Sequence, residues 1–496
     1  MKHEIKTGQD HIKSIQDKRT VYIDGAVAGD VTRHIAFRNA VKSTARLYDF
    51  QAAPEHRELM TFETSTGRRS NRAWQACTSY DELLQRRKAL TSWAELHHGF
   101  MGRSPDHVAS ALVGQLMGIE VFEKHNPKRA DAFRDYMRYA TDNDLYLTYV
   151  IINPQADRSK DWGNQSGEDL VASVVDQDHE GITIRGAKML GTGSVMANEV
   201  FVANLQPLKQ GEEKLAFSCA IPIATMGVKI LSRKSYEQHA VSTFDNPLSA
   251  LYDENDALIY FDDVKVPWDR VFSLGDTDVC RAQFHDTPGH TMQNYQAQIR
   301  LTVKLRFLLG LARTLTETIG TARIPSVTEK LGWLAAKTAM VEGMLYGMEA
   351  AGSMRGAYYV PNRNLMYAAQ VVTQELYPTF LGTIRELAGG SLIMLPSSIK
   401  DMENPEIRAI IRKTQISPAM SADDRVQFLK LVWDAVGSEF ASRHHQYEMF
   451  YAGAQFVTCG HTFRTYDWDK AQKLVMSALN VKSTETMGQS RGNAKA

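Results

Sequence analysis

Between about residues 148 and 279 the chain changes its hydrophobic period, and this switch constrains the fold more than any other feature. Short β-rich segments follow one another at turn spacing there: "LTYVIINPQ", "GITIRGAKML", "NEVFVANL", "LAFSCAIPI", "GVKILSR" and "ALIYFDDVKVP". Several alternate apolar and polar residues, as strands with one face on a core do. On either side the apolar residues recur at three and four, in "AFRNAVKSTARLYDF" and "RADAFRDYMRYATDNDL" before it and in "NYQAQIRLTVKLRFLLGLARTLTETIG" and "KLGWLAAKTAMVEGMLYGMEAAG" after it. That period predicts amphipathic helices. At 496 residues the chain is long enough for two or three cores. The expected order is a helical unit over 1–147, a compact antiparallel β unit over 148–279, a helical unit over 280–481 and a disordered tail over 482–496. A small hairpin, "VYIDGAVAGD", precedes the first helices, with Asp24-Gly25 as its turn signal.

Charge narrows the partner. Lys+Arg and Asp+Glu both number 57, so no basic surface points to nucleic acid and no acidic tail to disorder. A small molecule is the expected ligand. Cys77, Cys219, Cys280 and Cys459 are scattered without a CxxC, which reads as separate thiols rather than a disulfide frame or zinc site. The N-terminus is charged, without an apolar signal core, and no apolar run approaches about 18 residues. No membrane partner is expected, and a cytoplasmic protein is.

Three motifs invite chemistry. "GTGSVM" at Gly191 begins like a dinucleotide fingerprint, but it lacks the third glycine and lies between two strand patterns, so a hairpin turn is the better reading. "HDTPGH" has two histidines without the carboxylate or thiolate company of a zinc site, and no metal is expected. The third motif is "HHGFMGRSPDHVASALVGQL", in which a helical run breaks at a glycine, delivers Arg103 on a short turn and restarts after Pro105. Ser104 or Asp106 is placed to cap the new helix. Arg103 either pairs with a surface carboxylate or faces a reacting pocket.

The segments "YDFQ", "GRSPD", "INPQ", "RGAKM", "IYFDDVKVPWDRVF", "LAGGSLIMLPS" and "VWDAVGSEFASRHHQYEMFYAG" resemble, in the same order, the signatures of the 4-hydroxyphenylacetate 3-monooxygenase family. These are oxygenase components of two-component flavin-dependent phenol hydroxylases. The resemblance implies an α+β, acyl-CoA-dehydrogenase-like fold: an N-terminal helical domain, a middle antiparallel β-barrel and a C-terminal four-helix bundle that builds a homotetramer. It implies reduced FAD and O2, which together give a C4a-hydroperoxyflavin, and a separate NAD(P)H:flavin reductase as partner. The protein then has to bind flavin, exclude water and raise the electron density of the phenol ring, which ionisation of the phenol achieves.

By this resemblance Arg103 is the cation at the substrate oxygen or the flavin, and His290, in "PGHTMQNYQAQ", is the catalytic base beside it. A histidine with an ordinary pKa near 6.5 would make the rate fall as pH drops through about that value. Asn153 and Gln155 are expected at the flavin ring edge, Thr192 and Ser194 on its pyrimidine side, and Arg443 at a neighbouring subunit's phosphates. Trp433 and Tyr447 read as core or interface. Relatives that hydroxylate 4-hydroxyphenylacetate carry a Tyr four residues beyond the arginine and a His near "NPQ". Here His107 and Tyr149 stand at those substrate-binding places, with Thr192 beside them, a departure that tells against that substrate, while His290 in "PGHTMQNYQAQ" is similar to the branch acting on chlorinated and nitrated phenols, with possible loss of the substituent. Ortho-hydroxylation of a 4-substituted phenol is the alternative. The similar 4-hydroxybutyryl-CoA dehydratases hold an iron-sulfur cluster, but the chain has Ala297 seven residues beyond His290 and no Cys in the segment before Arg103, so the expected ligands are missing.

Overall fold

The computed structural model describes residues 5–479, except 158, 163, 164, 166 and 168. The predicted tail over 482–496 lies outside the described residues. Helices, sheets and helices follow in the expected order. The first group includes Arg38–Ala52, Tyr80–Leu96, Pro105–Leu116 and Pro127–Asp142. Their starts follow elementary capping chemistry. Ser79 accepts from the Glu82 N–H at 3.2 Å, and Pro105 and Pro127 occupy the first turn, where no N–H is needed.

Besides two small two-stranded sheets, Thr61–Glu63 with Arg69–Asn71 and Ser353–Arg355 with Tyr358–Val360, the strands of the β unit form two larger sheets. One has six strands in the order Ala26–Val27, Thr20–Ile23, Val228–Ser232, Ala257–Pro267, Gly181–Lys188 and Ser173–Gln177. The other has four, in the order Val271–Leu274, Phe217–Pro222, Glu199–Val202 and Leu147–Val150. An isolated bridge from Ile152 to Met189 ties one to the other. Ile182, Ile184, Val200, Val202, Ile230 and Ile259 pack with the hairpin residues Val21 and Ile23 in one apolar core.

The antiparallel barrel expected from the resemblance is therefore seen as two sheets, and two of their pairings are parallel. Thr20–Tyr22 pair parallel with Lys229–Leu231, and Leu147–Val150 with Glu199–Val202. The N-terminal hairpin thus belongs to the β core although it precedes the helices. Its turn is as expected, with Asp24 at φ 50° and Gly25 at φ 77°. The "GTGS" turn does not close a hairpin, since the strands flanking it, Gly181–Lys188 and Glu199–Val202, belong to different sheets.

The C-terminal half is built on helix Gly289–Thr318. Every residue from Gly289 to Leu305 is buried, polar ones included, so this end is enclosed on all sides. It crosses Pro105–Leu116 at close range, where a Cβ on Gly114 would lie 2.6 Å from the Pro288 carbonyl oxygen. Farther along, Leu308, Leu334, Phe380 and Val432 from four helices share a core that also takes in Phe100 and Met101. No helix is long and apolar enough to cross a membrane among the described residues, and all four cysteines are free.

Candidate active site

The turn carrying Arg103 is clamped from below. His98 and Gly99 take positive φ, 53° and 75°, and a Cβ on Gly99 would lie 2.8 Å from the Arg300 carbonyl oxygen, so both backbone conformation and space call for glycine. Phe100 and Met101 are fully buried. Gly102 lies against Tyr447, whose hydroxyl would sit 2.5 Å from a Cβ there. The Arg103 N–H donates to Glu254, and its carbonyl accepts from the Tyr146 hydroxyl at 2.8 Å. Ser104 begins the next helix without a side-chain cap; its hydroxyl donates to Asp106 at 2.5 Å instead.

Arg103 is half-buried as a residue, and its guanidinium is enclosed. It donates to His107 and lies 5.2 Å from the Tyr149 ring centre and 5.4 Å from that of Tyr447. Among the described residues no carboxylate pairs with this guanidinium: Glu254 is engaged by the Arg103 backbone and by Arg443. His107 stacks on Tyr149 with ring centres 5.7 Å apart. Burial first, and the adjacent Arg103 charge second, keep the His107 pKa well below the usual histidine value, so it is a neutral acceptor.

Behind the turn runs an ion-pair network. Arg443 meets Asp256 at 2.6 Å and Glu254 at 3.3 Å, and Arg233 meets Asp256 at 2.8 Å and Asp253 at 2.7 Å. Burial alone would raise the Asp256 carboxyl, but Arg443 and Arg233 hold it far below the ordinary carboxylate range. Thr192 is tied to the same carboxylate, donating at 2.6 Å. Arg443, expected at a neighbour's phosphates, is thus engaged by carboxylates of its own chain.

The other residues expected at a flavin divide. Ser194 is buried with its hydroxyl unpartnered. Asn153 accepts from the buried Lys188 ammonium at 2.6 Å, a group that burial pulls down to about 7. Gln155 is exposed.

His290 sits apart from Arg103. It meets the Tyr367 hydroxyl at 3.1 Å and packs among His285 and His461, with ring centres 4.9 and 5.5 Å away. Among the described residues it makes no hydrogen bond to Arg103, His107 or Tyr149. Gln293, one turn further along the helix, makes two: its amide nitrogen lies 3.2 Å from His107 Nε2 and 2.9 Å from the Tyr149 hydroxyl. Burial and the neighbouring His285 and His461 hold the His290 pKa well below 6.5. A lowered pKa keeps the ring neutral as pH falls through 6.5, which moves any inflection from His290 to lower pH.

Sequence reasoning missed Glu254, Asp256, Gln293, Gln296 and the contact of Tyr447 with Arg103. The glutamines were reachable only in part: His290, Gln293, Gln296 and Arg300 recur at helical spacing, but the segment is polar enough to read as solvated. The acidic run "YDENDA" reads locally as a solvated turn, and nothing in it announces the arginines it meets.

Models of the 4-hydroxyphenylacetate 3-hydroxylase N-terminal and C-terminal regions match residues 7–273 and 280–480. The 4-hydroxyphenylacetate 3-monooxygenase oxygenase component of Geobacillus sp. (strain PA-9) is 32% identical over 457 residues, covering 91% of this chain and 92% of the relative. The oxygenase component of 4-nitrophenol 2-monooxygenase from Rhodococcus sp. is 35% identical over 455 residues, covering 90% and 86%. Among solved structures, the oxygenase component of 4-hydroxyphenylacetate 3-monooxygenase complexed with FAD and 4-hydroxyphenylacetate superposes with a TM-score of 0.91 at 29% identity, covering 96% of this chain and 98% of that one. The chain belongs to the 4-hydroxyphenylacetate 3-hydroxylase family.

Proposed function

We propose that this chain is the oxygenase component of a two-component monooxygenase that uses reduced FAD and O2 to hydroxylate a phenol. The observation that carries the reading is the Arg103 guanidinium, flanked by Tyr149 and Tyr447 and lacking a carboxylate partner among the described residues. A cation left uncompensated beside aromatic rings suits an aromatic anion, the phenolate. Bound reduced FAD supplies the reaction with O2 that delivers one oxygen atom to the ring. The buried, unpartnered hydroxyls of Ser194 and Tyr447 fit such a group, because a ligand would satisfy what the protein leaves open. Asn153, Thr192, Ser194 and Gln155 are the residues we assign to holding it. Arg103 and Tyr149 orient the phenol oxygen and favour its ionised form, which raises electron density at the ortho and para carbons.

Within that class we propose a nitrated or halogenated phenol. Relative to the pattern for 4-hydroxyphenylacetate, the site keeps one imidazole and one phenol beside the arginine but with places exchanged, as His107 and Tyr149. A homotetramer is also proposed: Phe456 is 80% exposed, Phe463 64% and Leu474 70%, on terminal helices that leave their apolar faces open. Division into units over 1–147, 148–279 and 280–481 is part of the same proposal, with the hairpin around Thr20–Val27 lent by the first unit to the second and the last including a four-helix bundle.

The test is aerobic incubation with FAD kept reduced by a separate reductase and a panel of 4-nitrophenol, chlorophenols and 4-hydroxyphenylacetate, with products identified by mass. Hydroxylated nitro- or chlorophenols are the expected products, and the purified chain alone should not oxidise NADH. Peroxide without product from every phenol, or NADH consumption without a reductase, would count against the reading.

His290 is proposed as the base, and its structure changes the expected pH profile. His290→Asn should cost weakly acidic phenols more than nitrophenols, which ionise unaided. Between pH 5.5 and about 9 no inflection should trace to His290, because its neutral form already dominates. Equal losses for every phenol in single-turnover yields would remove the role.

A further inference from the structure

The helix beginning at Pro105 and the enclosed start of Gly289–Thr318 share a hydrogen-bond chain whose direction is set at both ends. At one end stands Asp106, whose carboxylate only accepts, so Gln296 turns its amide nitrogen to it at 3.1 Å. The Gln296 oxygen then faces His107 Nδ1 at 2.8 Å, which must carry the proton. At the other end stands the Arg103 guanidinium, which only donates and meets His107 Nε2. Both ends demand the same imidazole, protonated at Nδ1 with its lone pair at Nε2.

Gln293 continues the chain outward. Its amide nitrogen donates to the Tyr149 hydroxyl oxygen at 2.9 Å and lies 3.2 Å from His107 Nε2, where it shares with Arg103 the one lone pair. With that oxygen accepting, the Tyr149 O–H is left to donate elsewhere, and Tyr149 is partly exposed beside Arg103. Asp106 and Gln296 are 2% and 1% exposed, and among the described residues the hydrogen bonds that connect them to Arg103 and Tyr149 run through His107. The other charged or titratable groups facing the pair are Arg300 on the opposite helix, Tyr447 and, behind Arg103, Glu254.

We propose that Asp106 and Gln296 are positioning residues: they fix the His107 tautomer and so make Tyr149 a hydrogen-bond donor toward the ligand, which selects the phenolate over the neutral phenol. This deepens the proposed function and rests on it for the identity of the ligand. Two donors, one of them cationic, match an anionic oxygen.

The probe is 4-nitrophenol, whose phenolate absorbs in the visible, bound to the protein without turnover. The bound probe should ionise at lower pH than the free one. Asp106→Asn frees Gln296 to turn either way, and Gln296→Met removes the acceptor at Nδ1. Each should weaken nitrophenolate binding roughly tenfold and return its ionisation toward the free value. Ser104→Ala removes a contact on the other Asp106 oxygen without touching Gln296, and should leave that ionisation in place.

In parallel, 15N-histidine spectra, with His107 assigned by its loss in His107→Gln, should show Nδ1 protonated in the parent and a mixture of tautomers in Asp106→Asn. A parent His107 protonated at Nε2 overturns the proposal, whether or not a phenol binds. So does unchanged probe ionisation in both Asp106→Asn and Gln296→Met. An Nδ1-protonated His107 in a protein that binds no phenol would sustain the tautomer assignment while removing the proposed function.

Discussion

Arg103→Ala should fold as the parent does and lose hydroxylation by roughly 30- to 1,000-fold, the equivalent of about 2 to 4 kcal/mol for a charge-assisted contact at a reacting centre. The fold survives because the turn is held by its backbone and neighbours: Glu254 takes the Arg103 N–H, Tyr146 donates to its carbonyl, and Phe100 and Met101 are buried before it. What disappears is the uncompensated cation between Tyr149 and Tyr447. Oxygen consumption should then yield hydrogen peroxide in place of hydroxylated phenol. Arg103→Lys should recover part of the loss, since it keeps the charge but cannot span His107 and both rings with a planar fork. Unchanged coupling of oxygen to product in Arg103→Ala would return Arg103 to a structural part.

The sequence carried the architecture where the signal was periodic and lost it where partners lie far apart in the chain. The 3.6-residue period of "RADAFRDYMRYATDNDL" and the alternation in "ALIYFDDVKVP" each report a local environment, and both became the expected elements, Pro127–Asp142 and Ala257–Pro267. The parallel pairing of Thr20–Tyr22 with Lys229–Leu231 is set by hydrogen bonds between segments some two hundred residues apart, and a parallel ladder leaves no turn signature between its strands. The site divides the same way. Arg103 was legible because a glycine, a serine and a proline punctuate its turn. Asp256 was not, because an aspartate between a loop and a strand looks the same whether it meets water or two arginines. His107 and Tyr149 stand out as departures from a known pattern, but their stacking on one another needed coordinates.

Glu448→Gln should destabilise the protein by about 3 to 5 kcal/mol, the usual consequence of leaving buried cations without their carboxylate. Glu448 is fully buried, bridges Arg300 in a two-point pair and accepts from Lys304 at 3.0 Å. Despite burial, which pushes a carboxyl up, the two cations bring its pKa down to about 2. A glutamine keeps the shape but not the charge. Lys304, which burial already lowers to about 7, can shed its proton, whereas the Arg300 guanidinium cannot. Glu448→Gln with Arg300→Met should therefore recover stability relative to Glu448→Gln alone. The same cluster carries the active turn: Arg300 donates to the Gly99 carbonyl at 3.1 Å, and the Lys304 ammonium lies 4.5 Å from the Phe100 ring centre. Loss of Glu448 should accordingly loosen residues 97–103, seen as faster amide hydrogen exchange there than in the β core. Denaturant midpoints for parent, single and double variants measure the first effect and exchange maps the second. A cost under about 1 kcal/mol with unchanged exchange over 97–103 would mean that the ion cluster neither holds this end of the helix nor supports Arg103.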